Sequence, residues 1–203
     1  AAKPRRIQDI FDFHLTDSIH PEVLSMYNVK YMIFNTEKGL QYTNNPGALG
    51  NAWFVEKIKK VQSQDEEILA LNKTDLSRVA ILSEKMNEVG DHFAPDSSAF
   101  IKLTSYHPEK LEYISENSKE GFAVFSENYY PYGWKAFVDG KQMEIFRVNY
   151  SLRGLKIPAG KHKIVMQFEP EVIKTGTKIT LFFIVLFVLS IIWLGYSIWK
   201  RKS

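Results

Sequence analysis

Residues 179–199 read ITLFFIVLFVLSIIWLGYSIW, 21 consecutive positions without a charge. At ~1.5 Å per helical residue the stretch reaches roughly 31 Å, the hydrocarbon thickness of a bilayer. The hydroxyls of Thr180, Ser190 and Ser197 can bond back to carbonyls of their own helix. Trp193, Tyr196 and Trp199 crowd the C-terminal half, where amphipathic rings settle at headgroup level. Core helices of soluble proteins seldom run this long uncharged, so the stretch is read as a transmembrane helix. Its flanks set an expected orientation. Lys200, Arg201 and Lys202 follow the span directly, against Lys174 and Lys178 before it. That excess favours a cytoplasmic C-terminus and an extracytoplasmic location for residues 1–173. The expected location is the cell (inner, or cytoplasmic) membrane, and the first expected partner is the lipid bilayer.

Outward from the span, the charge changes character. The 203 residues carry 26 Lys/Arg against 23 Asp/Glu, a formal net charge of +3. Residues 174–203 hold five of the basic residues and no acidic one, so residues 1–173 are net −2. A nucleic-acid binder concentrates positive charge on its folded part, and that class is excluded. Cysteine is absent, which excludes a disulfide scaffold, a thiol nucleophile and cysteine-ligated metal. An aromatic share of 14% excludes a disordered chain. Residues 1–50 contain no apolar stretch of the signal-peptide type, and position 1 is not Met. A large outside domain on a C-terminal span needs something to export it. The expectation is therefore the tail of a longer membrane protein, whose upstream spans are its partner.

Residues 99–170 read as an antiparallel β-sandwich. Ile101 and Leu103 alternate with Lys102 and Thr104, Leu111 and Tyr113 with Lys110 and Glu112, and Ile164, Met166 and Phe168 with Lys163, Gln167 and Glu169. Such alternation gives each strand one wet face. Asp139-Gly140, between Ala136-Phe137-Val138 and Met143-Glu144-Ile145-Phe146, signals a hairpin. Pro158-Ala159-Gly160 signals a second turn. Five or six short strands at this spacing imply a sandwich.

Residues 1–92 mix helix and strand signals. A short helix is expected to start at Pro21, followed by a strand at Val29-Lys30-Tyr31-Met32-Ile33-Phe34. Residues 44–51 are turn-rich, and Ala52-Trp53-Phe54-Val55 opens another apolar run. Ser63 and Glu66 have capping-box spacing, so a helix is expected over about 64–72. Val79-Ala80-Ile81-Leu82 is a further strand, and residues 83–97 suit a linker or long loop. The expected fold is thus a mixed α+β N-terminal region (1–97), a jelly-roll or Ig-like β-sandwich (98–173), and one C-terminal transmembrane α-helix with a basic tail (174–203).

Chemistry-bearing motifs are sparse. The five histidines are scattered without HxH or HExxH spacing, and no metal or cofactor is expected. Gly47-Ala48-Leu49-Gly50 lacks the spacing and the Lys-Ser/Thr of a phosphate loop. Asp65-Glu66-Glu67 reads most simply as the first turn of a helix, where negative charge suits the dipole. Asn72-Lys73-Thr74 and Asn149-Tyr150-Ser151 match the glycosylation sequon. The most distinctive run is Tyr129-Tyr130-Pro131-Tyr132-Gly133-Trp134, followed by Asp139. Exposed Tyr130 and Trp134 rings can stack on a pyranose while Asp139 bonds its hydroxyls. The competing reading places Trp134 in the sandwich core. Arg147, Asn149 and Arg153 follow and can orient an anion or a glycan, or form ordinary surface pairs. The candidate glycan contacts are Tyr130, Trp134, Asp139, Arg147 and Asn149. The candidate membrane anchors are Trp193, Tyr196, Trp199, Lys200, Arg201 and Lys202.

Several blocks together resemble the C-terminal region of the YfhO family of bacterial polytopic membrane proteins. They are Ala2-Lys3-Pro4-Arg5-Arg6 with Gln8-Asp9, Asn28-Val29-Lys30-Tyr31, and Leu49-Gly50-Asn51-Ala52-Trp53-Phe54-Val55. Further along come Trp134-Lys135-Ala136 with Val138-Asp139-Gly140-Lys141, Arg147-Val148-Asn149-Tyr150-Ser151-Leu152-Arg153-Gly154, and Pro158-Ala159-Gly160-Lys161-His162. Tyr132 is a departure, standing where many members pass directly from Pro to Gly-Trp. The resemblance implies a GT-C type glycosyltransferase architecture, a polyprenyl-phosphate-linked sugar and a cell-envelope acceptor. It places the acidic catalytic residues in an early extracytoplasmic loop outside this sequence, so no catalytic residue is assigned. The chain then reads as a non-catalytic accessory domain with the last span, in contact with envelope glycan or lipid-linked sugar. The other classes it could represent are a glycan-binding surface module and a purely structural domain.

Overall fold

The structure, a computed structural model of the full chain, describes residues 5–16, 19–82, 90–94 and 96–202. The N-terminal region comprises helix α1 (Arg5–Phe11), continued by a π-helical turn (Asp12–Thr16), helix α2 (Pro21–Met26) and a β-hairpin of β1 (Tyr31–Thr36) and β2 (Gly39–Asn44). Then follow β3 (Ala52–Val55), β4 (Lys57–Lys60), α3 (Gln64–Ala70) and β5 (Val79–Leu82). Pro21 occupies the first turn of α2, where its missing N–H costs nothing. At α3 the Ser63 hydroxyl accepts the Glu66 N–H at 3.1 Å, while the Glu66 carboxylate reaches back to the Gln62 N–H at 2.8 Å. β4 and β5 pair in parallel, with α3 as their crossover. Most of the expected linker (83–97) lies outside the described residues.

Eight further strands follow: β6 (Phe100–His107), β7 (Lys110–Asn117), β8 (Gly121–Asn128), β9 (Trp134–Val138), β10 (Lys141–Met143), β11 (Phe146–Val148), β12 (Leu152–Ile157) and β13 (Gly160–Phe168). They form two antiparallel sheets, a five-stranded one in the order β10-β9-β13-β7-β6 and a four-stranded one in the order β11-β12-β8-β3. The sandwich is therefore completed by β3, from the N-terminal region, which pairs Ala52–Val55 with Phe125–Phe122 of β8. The expected hairpin at Asp139-Gly140 is present, with Val138 opposite Lys141. The apolar run 143–146 divides, however. Met143 pairs with Ala136 in one sheet and Phe146 with Gly154 in the other, so a two-residue bend passes the chain between layers.

Two cores result. Leu111, Tyr113, Ala136, Val138, Ile164 and Met166 from the five-stranded sheet meet Ala52, Ala123, Phe125, Leu155 and Ile157 from the four-stranded sheet. The other face of the four-stranded sheet carries Trp53, Val55, Phe122, Val124, Phe146, Val148 and Leu152, and the N-terminal layer covers it with Val23, Met26, Ile68, Leu71 and Ile81. The four-stranded sheet is thus buried on both sides. That explains why Phe122-Ala123-Val124-Phe125 is one unbroken apolar run, whereas β6, β7 and β13 alternate. Helix α4 (Glu171–Lys202) contains the apolar stretch, and none of its most apolar stretch is covered by the rest of the chain.

Candidate functional site

The strands run so that one end of both sheets faces the start of α4. Phe168 ends β13 two residues before Pro170, and pairs with Trp134 at the start of β9. The Glu169 N–H donates to the Gly133 carbonyl at 2.6 Å. A side chain on Gly133 would sit 3.0 Å from Pro170, and its φ of 108° suits glycine alone, so this crossing needs Gly133. β8 ends, and β12 begins, at the same end, with Asn128 opposite Leu152.

At this end the turn between β11 and β12 holds two consecutive residues in left-handed backbone, Asn149 (φ 49°) and Tyr150 (φ 71°). For a residue as bulky as tyrosine that conformation is uncommon and persists only where its surroundings over-determine it. They do. Asn149 is fully buried; its N–H donates to Ile81 O at 2.8 Å, and its side-chain oxygen accepts the Ile81 N–H at 2.8 Å. The Tyr150 N–H donates to the Glu67 carboxylate at 2.8 Å, and its carbonyl accepts from the Arg6 guanidinium at 2.9 Å. The Tyr150 hydroxyl donates to Asp9 at 2.6 Å. Arg6 lies 4.5 Å above the Tyr150 ring and 3.6 Å from Glu67. Burial, together with the Asp9 acceptor, pushes the Tyr150 phenol up to about 12, so it stays a neutral donor. Glu67 is completely buried, and Arg6 pairs with it.

The network floors an open cleft of about 570 Å³ lined by Arg5, Asp9, Gln64, Asp65, Arg147 and Tyr150. Behind it, buried His14 lies 2.9 Å from the Ile68 carbonyl through Nε2 and packs edge-on against His20, tying the π-helical turn to α3. Burial lowers the pKa of His14. Arg6, Asp9, Glu67 and Tyr150 carry this site, and none stands among the candidate contacts read from the sequence. Arg5-Arg6, Gln8-Asp9 and Arg147 to Tyr150 do stand in the YfhO-like blocks, 141 residues apart at Asp9 and Tyr150, and the fold brings them together. Glu67 reads as a helix-dipole residue in sequence because nothing local marks its burial.

Of the five candidate glycan contacts, Tyr130 and Trp134 line one shallow pocket together, and the other three lie elsewhere. Tyr130 is half exposed, 5.7 Å from the exposed Tyr132 ring. Trp134 is partly buried, with the Arg153 guanidinium 3.9 Å over its ring and Phe168 at 5.4 Å. Arg153 is itself 3% exposed, between the sheets, so it forms no surface pair. Asp139 sits at the far end of β9, roughly 16 Å from Trp134 at ~3.3 Å per residue, bonded to His162 Nδ1 at 2.6 Å. Arg147 lines the cleft, whereas the burial of Asn149 closes its sequon to modification in the folded chain. On α4 the rings of Trp193, Tyr196 and Trp199 are exposed, as are Lys200 and Arg201; Lys202 ends the helix. Among the described residues no cluster of three or more His, Asp or Glu could hold a metal.

A β-sandwich joined directly to one bilayer-length apolar helix defines a membrane-associated protein. The YfhO family of bacterial membrane proteins matches residues 21–180, most of the chain, and the chain belongs to that family. Comparison with curated proteins and with solved structures gave no match.

Proposed function

We propose that this chain is the extracytoplasmic C-terminal accessory domain and last span of a protein resembling polyprenyl-phosphate-sugar-dependent, GT-C type glycosyltransferases of the cell envelope. In this reading the C-terminus is cytoplasmic, and the domain positions a lipid-linked or glycan anion without performing the transfer. The observation that carries the proposal is the cleft over Tyr150. Its floor is held rigid by the Arg6, Glu67, Asp9 and Asn149 contacts, and Arg5 and Arg147 line it. Guanidinium groups suit a phosphate through paired N–H donors, while Asp65 and Gln64 on the same wall suit sugar hydroxyls. Its place at the end of the sheets from which α4 leaves supports a ligand that is itself anchored in the bilayer.

The test is a titration of the full chain in phosphatidylcholine nanodiscs with a short-chain prenyl phosphate and with the matching prenyl alcohol. The phosphate is expected to bind more tightly, and Arg147→Ala to weaken it by about tenfold or more, since a hydrogen bond to a charged group contributes ~1.5–3 kcal/mol. Equal affinity for alcohol and phosphate, or an unchanged affinity in Arg147→Ala, would overturn the proposal.

A further inference from the structure

The hairpin β1–β2 stands apart from both cores. Antiparallel pairing places Tyr31 opposite Asn44, Ile33 opposite Tyr42, and Asn35 opposite Leu40, so these six residues share one face. The four large ones are uncovered: Tyr31 is 62%, Ile33 70%, Leu40 77% and Tyr42 73% exposed. Neither strand carries a charge; Glu37 and Lys38 occupy only the tip. Edge strands that meet water are ordinarily protected by charge, bulges or a covering element, and a two-stranded ribbon is marginal in water alone. An uncovered apolar face on such a ribbon marks an interaction surface.

Its root identifies the surface it meets. The Asn45 N–H donates to Lys30 O at 2.8 Å, and the Asn45 amide holds Val29 O at 2.9 Å, closing the base of the hairpin. Just before that base, the Ser126 hydroxyl donates to Met26 O, and Tyr27 bonds the Ser151 hydroxyl. The Ser151 carbonyl in turn accepts the Tyr129 N–H at 2.6 Å. The hairpin is therefore rooted at the end of the sandwich from which α4 departs, the end that also carries exposed Tyr130 and Tyr132. Eight residues of α4 precede the uncharged stretch, about 12 Å of helix, and each hairpin strand of six residues is roughly 20 Å long. The ribbon is long enough to bridge that gap. Two tyrosines flanked by isoleucine, leucine and amide side chains, without charge, match the headgroup boundary, where amphipathic rings are favoured.

We infer that the β1–β2 hairpin is a second membrane contact, with its Tyr31, Ile33, Leu40 and Tyr42 face seated in the lipid headgroup layer beside the span. The inference depends on the membrane helix alone and not on the proposed ligand of the arginine-lined cleft. The absence of cysteine makes the test clean. Leu40→Cys, at an exposed position, is labelled with an environment-sensitive fluorophore, and the full chain is reconstituted in phosphatidylcholine–phosphatidylglycerol vesicles containing shallow spin-labelled lipid. Lys119→Cys, at the opposite end of the sandwich, is the control. The label at position 40 is expected to shift to the blue and to be quenched by the lipid several-fold more than the label at 119. Equal quenching at the two positions overturns the inference. A blue shift without lipid quenching, growing with the protein-to-lipid ratio, overturns it in favour of a second copy or a protein partner.

Discussion

Asp139 shows how a single position can serve two structural demands. Its φ of 48° is tolerated by a short polar side chain, and its carboxylate accepts from the Lys163 N–H at 2.8 Å and from His162. The bond to His162 and the Lys163 N–H hold the Asp139 pKa below its ordinary value, while the bond to Asp139 raises that of His162. The contribution of His162 is thus complete below its unfolded value near 6.5 and is lost as pH rises through the raised folded value. The contribution of Asp139 is present above about 3.8 and is lost as pH falls through its lowered value. Asp139→Asn, which keeps the backbone conformation, is expected to lower the melting temperature more at pH 5.5 than at pH 8.5. Melts giving the same difference at both pH values would show that the ion pair contributes nothing. The same position marks a limit of sequence reading. Asp139-Gly140 announces its hairpin locally, but that it lies a strand's length from Trp134 depends on the direction of β9.

At the scale of elements, β12 and β8 are set by one small residue. A Cβ on Gly154 would meet the Phe122 ring at 2.6 Å and Val148 at 2.9 Å, so the ring lies directly over the strand. Gly154→Ala is expected to destabilise the domain by about 1–3 kcal/mol through overpacking, measured as a lower urea midpoint with unchanged slope. An unchanged midpoint would mean that the Phe122 ring has room to swing aside. The elements legible beforehand were those with a local signature: the capped α3, the proline-started α2, the alternating β6, β7 and β13, and the two turn signals. β8 was not, because a strand buried on both faces has no alternation to read. Nor could local pattern reveal that β3 completes the sandwich, since β3 and β8 are joined only by pairing across some 70 residues.

At the scale of the whole molecule, neither core of the folded part includes a residue of α4. The apolar stretch of α4 is uncovered by the domain, so its stability belongs to the bilayer. A chain ending at Pro170 is therefore expected to unfold cooperatively at close to the melting temperature of the full chain in nanodiscs, as followed by Trp fluorescence. A large fall in melting temperature would show that α4 braces the sandwich. The cleft over Tyr150 belongs to this scale too, because its residues come from α1 and the π-helical turn, α3, β11 and the β11–β12 turn, and no stretch of sequence contains it.

The amino-acid sequence by itself determined the membrane span, the β-rich character of the residues that precede it and the family. Each rests on a local or periodic property: uninterrupted apolarity over a bilayer's length, alternation at period two, and motif blocks matched in order. Tertiary structure alone decided that the four-stranded sheet is buried on both faces, that Asn149 is a buried backbone clamp, and that Arg6, Asp9, Glu67 and Tyr150 meet. The reason is physical. Burial and the satisfaction of buried polar groups depend on which surfaces are brought together, and partners such as Asn149 and Ile81, 68 residues apart, or Asp9 and Tyr150, 141 apart, leave no trace of that in local pattern.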